Sequence, residues 1–296
     1  MSKTAAARIR LIASMVIFGT MGIFARGIAL PSSLVANARG VIGSVFLLLA
    51  MRAKGERFSG EALRRNLWPL CASGAALGIN WVLLFEAYKH TTVAKASLCY
   101  YVAPLIVVAL SPLLFRERLT WRKGLCVAAA MLGMVFVSGL LGGGLPGGSD
   151  EQGIALGLCA AAMYALIVIL NKRISGVTAS ERTVVQLAIS AVVLLPYNLL
   201  TVDFSALSLT PGALGLLLIL GVVHTGIVYR LYFGSMEALP AQSVALLSYI
   251  DPAVAVLVSA LVLGEPLTLN VAAGAVLILG AAMVSELGGQ PGTEND

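Results

Sequence analysis

The chain has 296 residues, of which 59% are hydrophobic and 11% charged, and its formal net charge is +6. A soluble domain carries roughly a quarter charged residues, so a wholly water-soluble fold is excluded. The apolar runs are about the twenty residues long that a hydrocarbon core demands, and lipid is therefore the expected solvent for most of the surface.

Ten spans are predicted: Ile9 to Ala29, Ser32 to Met51, Leu67 to Tyr88, Ala94 to Phe115, Gly124 to Leu141, Gly153 to Leu170, Thr183 to Leu200, Pro211 to Met236, Ala241 to Leu263 and Val271 to Leu287. The connections are short and carry Gly, Pro or charge, as in LGGGLPGGSDEQ before the sixth span, and the longest is the basic loop Arg52 to Asn66. The expected class is an all-α integral membrane protein. Its expected units are a five-helix repeat over 1–146, a second over 147–288, and a disordered tail over 289–296.

Lys3, Arg8 and Arg10 precede an apolar stretch, and Ala36-Asn37-Ala38 resembles a signal cleavage site. The apolar core is longer than a signal needs and a second span follows at once, so the first run is read as a membrane span. With the N-terminus inside, the cations of the loops and ends, among them Arg57, Arg64, Arg65, Arg116, Arg122, Lys172 and Arg182, fall on one side, while Asp150, Glu151, Asp203 and Glu265 fall on the other. Cytoplasmic loops carry such an excess of Lys and Arg. The net charge thus reads as a topology signal, and no nucleic-acid partner is expected. Cys71, Cys99, Cys126 and Cys159 lie within spans without CxxC spacing or His neighbours, and are expected to be small packing residues with no metal or cofactor.

An internal repeat appears when YYVAPLIVVALSPLLFRERLT is laid on SYIDPAVAVLVSALVLGEPLT without a gap. Tyr101 falls on Tyr249, Pro104 on Pro252, Ser111 on Ser259, Glu117 on Glu265, Leu119 on Leu267 and Thr120 on Thr268. The same register places Gly78-Ile79 on Gly226-Ile227, Trp81 on Tyr229 and Phe85 on Phe233, whereas Gly274 comes two residues late relative to Gly124. Five spans per half make the two repeats opposite in orientation. Inverted repeats suit alternating access about a site near the midplane.

A Pro within a span, then Glu, then Leu-Thr, then a Gly-rich span, given twice (Pro104, Glu117, Leu119-Thr120; Pro252, Glu265, Leu267-Thr268), resembles the EamA-type members of the drug/metabolite transporter superfamily. The resemblance implies ten helices, both termini cytoplasmic, residence in a prokaryotic inner membrane, and export of amino acids or related metabolites. Within the superfamily, the length and the midmembrane tyrosines are most similar to the aromatic amino-acid exporters.

Pro104 and Pro252 are expected to break their helices and shape the cavity, because a proline removes a backbone donor that lipid cannot replace. Glu117 and Glu265 are expected to pin hairpin ends, and Gly74 with Gly78, and Gly153 with Gly157, to let helices approach closely. Unmirrored charges inside spans point to function, since they cost several kcal/mol in hydrocarbon. Asp251 in the ninth span and Arg230 in the eighth are at similar depth and are expected to pair, either locking the hairpin or meeting a zwitterionic substrate. His224 suits proton coupling or a substrate hydrogen bond, with packing as its alternative, and Arg39 reaches either the surface or the cavity. Trp81, Tyr101, Tyr229 and Tyr249 are expected to face the cavity, Tyr88 and Tyr197 the membrane interface, and Glu86, Lys89 and Lys95 to pair with one another.

No GxxxxGK[ST] loop is present to energise a pump, and two His residues, at 90 and 224, without HExxH make an intramembrane metalloenzyme unexpected. The expected activity is secondary transport of a small molecule by a chain acting as a monomer. The alternatives are a channel-like facilitator, or other cargo such as nucleosides or organic cations. A quaternary-cation exporter is expected to hold a carboxylate in its first span, where this sequence has none.

Overall fold

A computed structural model describes residues 3–115, 121–138, 148–236, 239 and 247–287, and among these there is no strand. In hydrocarbon every backbone N–H and C=O must find its partner within the chain, which helices achieve locally. The first span is α1 (Lys3–Gly19) and α2 (Met21–Arg26), interrupted at Thr20; the second is α3 (Ser32–Ala53). The basic connection is not all loop, because it contains the short helix α4 (Gly60–Arg65). The third span is α5 (Leu67–His90), and the fourth divides into α6 (Val93–Tyr100) and α7 (Ala103–Phe115). Then follow α8 (Trp121–Ser138), α9 (Ser149–Asn171) and α10 (Ala179–Thr201). The eighth span is α11 (Pro211–Leu218), a π-helical segment Ile219–Ile227 and α12 (Val228–Met236); α13 (Ile250–Val262) and α14 (Leu269–Leu287) complete the described chain.

Seven spans among the described residues are long and apolar enough to cross a membrane. The shorter apolar helices Gly124–Val137, Ile250–Val262 and Leu269–Val284 fall where the fifth, ninth and tenth spans are predicted. The protein is therefore a multi-pass, all-α membrane protein. Large apolar side chains lie bare on its outside, among them Leu200 (86%), Leu269 (85%) and Leu261 (82%). In water such exposure would favour aggregation, whereas lipid tails solvate it. Trp68 and Trp121 stand exposed in the first turns of α5 and α8, where amphipathic rings suit the headgroup level.

Helix starts are built from local chemistry. Thr178 and Glu181 form a reciprocal capping box on α10, and the Glu181 carboxylate also accepts the Ser59 N–H at 2.6 Å. Thr210 caps α11 ahead of Pro211, which fits the first turn because no intrahelical donor is needed there. Between spans, buried polar groups act as glue: Asn80 donates to the Ala160 carbonyl at 2.6 Å, Asn37 to Ala191 at 2.7 Å, and Gln186 bridges Ser73 and Asn171 at 2.6 and 2.7 Å.

α5 packs along α9 and α10, α3 along α10 and the π segment, α8 along α14, and α1 along α12 and α13. Close approach at Gly74 is required, since an added Cβ would sit 2.7 Å from the Ile189 Cβ on α10. Gly153 lies against Thr91 and Gly157 against Cys99 in the same manner. Gly74→Leu is expected to lower the unfolding temperature in detergent, by an overpacking cost of about 1–3 kcal/mol. Gly124→Ala, where an added Cβ meets nothing within 4 Å, is expected to leave it unchanged or higher.

Several local expectations need correction. Cys99 and Cys126 are buried, but Cys71 and Cys159 are exposed, so packing does not account for that pair. Tyr88 is buried in the core rather than at the interface, while Tyr197 is exposed. Glu86 accepts from Lys89 at 3.2 Å and from Ser32 at 2.6 Å, but Lys95 pairs instead with Asp150 at 2.7 Å, because α6 starts beside α9. Glu265 accepts from Arg26, from the Ser259 hydroxyl and, at 2.9 Å, from the Val93 N–H, which ties the α13–α14 hairpin to α2 and α6. Glu117, Leu119, Thr120 and the tail 289–296 lie outside the described residues.

Candidate functional site

The fourth and ninth spans both change course at a tyrosine. Tyr101 (φ −73°, ψ 2°) ends α6, and Tyr249 (φ −72°, ψ −6°) precedes α13. Each is followed three residues later by proline, Pro104 or Pro252, so each proline stands in the first turn of a restarted helix, where its missing N–H leaves no ladder bond unmade. These breaks open onto a cavity of about 300 Å³.

Among the described residues its walls come from seven spans. The first contributes Met15, Phe18 and Met21, the second Arg39, the third Trp81 and Leu84, and the fourth Tyr100, Tyr101, Ala103 and Pro104. Tyr164 of α9, Tyr229 and Tyr232 of α12, and Ser248, Tyr249 and Asp251 of the ninth span complete it. The rings interlock: Tyr100 packs on Tyr164 at 5.4 Å between centroids and edge-on to Tyr101 at 5.9 Å, and Phe18 meets Tyr229 at 5.5 Å. Aromatic walls with a few convergent polar groups suit a small amphiphilic ligand.

Arg39 is 1% exposed. Its Nε donates to the Thr225 hydroxyl at 2.7 Å and its Nη2 to the His224 carbonyl at 3.4 Å, while Nη1 meets the Met21 sulfur at 2.7 Å. Its Cζ lies 4.1 Å above the Trp81 ring. Across the cavity Asp251 stands in the first turn of α13, where the helix dipole favours a carboxylate, and accepts the Tyr101 hydroxyl. Among the described residues neither Arg39 nor Asp251 has an oppositely charged side chain within 4 Å.

Of the residues singled out from sequence, Arg39, Trp81, Tyr101, Pro104, Tyr229, Tyr249 and Asp251 line this one cavity. Arg230 does not, and its expected pairing with Asp251 is absent. Tyr229 and Tyr232 share one face of α12 and turn to the cavity, so Arg230, about 100° around the helix, is directed to an exposed recess with Lys54, Glu56 and Ser180. His224 sits behind the wall, buried, with Nε2 3.0 Å from the Thr20 hydroxyl and its ring on Phe24 at 4.9 Å, so it makes no direct approach to a ligand in this cavity. Pro252 is buried and outside the lining.

Sequence reading did not carry Tyr100, Tyr164, Tyr232 and Thr225 to the site. The spacing of Tyr229 and Tyr232, three residues apart on one helical face, was the available signal for the third. Nothing in the sequence announced Thr225, whose place depends on a π-helical turn.

The profile of the EamA-like transporter family matches residues 7–139 and again residues 151–286. The chain is 30% identical to the uncharacterized transporter YxxF of Bacillus subtilis, over 91% of this chain and 86% of that one. It is 26% identical to an uncharacterized transporter of Archaeoglobus fulgidus, over 93% and 94% of the two chains. Protein PecM of Dickeya dadantii is 28% identical over 74% of this chain and 73% of its own. A protein crystal structure superposes with a TM-score of 0.66 at 23% identity, covering 95% of this chain and 97% of that one, which speaks for the fold alone.

Proposed function

Because the chain belongs to the EamA-like transporter family, we propose that it is a secondary transporter that exports amino acids and related small metabolites, aromatic amino acids included, by alternating access. One observation carries the reading: a buried guanidinium and a carboxylate, neither paired with an opposite charge among the described residues, line the same aromatic cavity. A free amino acid brings the complementary pair, its carboxylate for Arg39 and its ammonium for Asp251, and an aromatic side chain suits walls of Tyr and Trp. Each ligand charge would offset the cost of a protein charge held out of water.

Alternating access draws support from the packing. Exchanging the first five spans for the last five turns the α5–α9 contact into the contact of α12 with α1, and α5–α10 into that of α3 with the π segment, and all four are present. The two family matches, over 7–139 and 151–286, fall on the same halves. A single site between oppositely oriented halves has access to either face as they rock. The cytoplasmic membrane, with both termini inside, is the proposed setting, and the monomer the proposed functional unit.

The test is counterflow in liposomes. Vesicles containing the purified protein and preloaded with L-phenylalanine are expected to accumulate labelled L-phenylalanine without ATP, and vesicles lacking cargo to take up much less. Equal uptake by loaded and empty vesicles would defeat the proposal. Exchange of choline in place of L-phenylalanine would favour an organic-cation carrier, which the buried Arg39 in the wall disfavours.

A further inference from the structure

The eighth span departs from α-helical winding over Ile219–Ile227, beside Arg39 of the cavity wall. A π turn inserts an extra residue between hydrogen-bonded partners and tends to occur where function needs it. Here it sets Thr225 so that its hydroxyl donates back to the Leu220 carbonyl, five residues earlier, at 2.9 Å. With its proton committed there, the hydroxyl oxygen is left only as an acceptor, and it accepts the Arg39 Nε–H at 2.7 Å. The His224 carbonyl on the same turn takes Nη2, and Trp81 lies beneath the guanidinium plane. The threonine is 0% exposed and its methyl is wedged against Gly43, where an added Cβ would be 2.5 Å from Cγ2. A side chain so enclosed has little freedom to turn its hydroxyl elsewhere.

This scaffold occupies one edge of the fork and leaves the other facing Met21, whose thioether is a weak acceptor. Resting on the reading of the cavity as an amino-acid site, we infer that Thr225 is a positioning residue that locks the Arg39 fork, so that its Nη1 edge is presented to the substrate carboxylate, and thereby sets preference for carboxylate-bearing ligands. A guanidinium held at one edge loses less rotational freedom when the carboxylate arrives, and the geometry of a two-point contact is kept. Thr225 touches no substrate; it acts through Arg39.

The experiment compares binding of L-phenylalanine and L-phenylalaninamide, which keeps the ammonium but not the carboxylate, to the full chain in lipid nanodiscs. Thr225→Val, which keeps the shape and removes the acceptor, is expected to weaken L-phenylalanine binding about tenfold while changing the amide by less than about twofold. Thr225→Ser, which keeps the hydroxyl, is expected to restore L-phenylalanine affinity to within about twofold of the parent chain. If the valine variant does not fold, Thr225→Ala is read against Thr225→Ser in the same way. Equal losses for both ligands, or no loss for either, would overturn the positioning role. Failure of the parent chain to bind L-phenylalanine would instead overturn the amino-acid reading, and this inference with it.

Discussion

Replacing Arg39 by Gln is expected to weaken L-phenylalanine affinity by about a hundredfold or more, because a carboxylate meeting a desolvated guanidinium gains about 2–5 kcal/mol relative to the truncated site. The protein is expected to stay folded, and this separates the prediction from an ordinary core mutation. Breaking a buried ion pair destabilises because it strands the remaining charge. Arg39 has no such partner among the described residues; its neighbours are a hydroxyl, a carbonyl, a thioether and two rings. Removing a buried, uncompensated cation is therefore expected to leave thermal stability in detergent unchanged or raised. Phenethylamine, which lacks the carboxylate, is expected to bind the variant as well as it binds the parent. A variant that unfolds, or one that binds L-phenylalanine normally, would contradict this account of the site.

Asp251→Asn is the complementary experiment, with an expected loss of about a hundredfold for L-phenylalanine. The amide oxygen of Asn still accepts the Tyr101 hydroxyl that Asp251 accepts in the parent, so the break between α6 and α7 keeps its contact and the fold is expected to survive. What is lost is the negative charge that meets the ammonium. Preference is then expected to invert relative to the arginine variant: 3-phenylpropanoate, which has no ammonium, should bind the Asn variant at least as well as the parent, since one repulsive charge has gone. Parallel losses for the zwitterion and for both single-charge analogues would mean that Asp251 supports the cavity wall and does not contact the ligand charge. Read together, the two variants form a reciprocal pair whose outcomes a purely structural role does not reproduce.

Much of the site was legible because depth along a span can be counted. Asp251, Tyr249, Tyr101 and Trp81 lie well inside apolar runs, and repeat register marked Tyr101 with Tyr249, and Trp81 with Tyr229, as residues recurring in both halves. All five line one cavity. What depth does not convey is azimuth. Arg230 faces an exposed recess and not the cavity, because one residue of displacement from Tyr229 turns a side chain by about 100°. His224, for which packing was the alternative, turns to Thr20 and Phe24 behind the wall; a π-helical segment shifts the face of every residue after its start, and no periodicity in Ile219–Ile227 distinguishes it from an ordinary helix.

By itself the sequence determined that this chain is a multi-pass helical membrane protein, because apolar runs of bilayer length leave a backbone no other way to satisfy its hydrogen bonds. It also determined where the helices of the fourth and ninth spans restart, because a proline there has no N–H to continue a ladder. Only the tertiary structure decided which charges share a chamber: that Asp251 meets Tyr101 and not Arg230, that Arg39 turns inward, and that Thr225 takes up its side chain. Such choices depend on the relative rotation of neighbouring helices, set by close contacts such as Gly43 with Thr225 and Gly74 with Ile189, and rotation is a property of the packed bundle that no single span encodes.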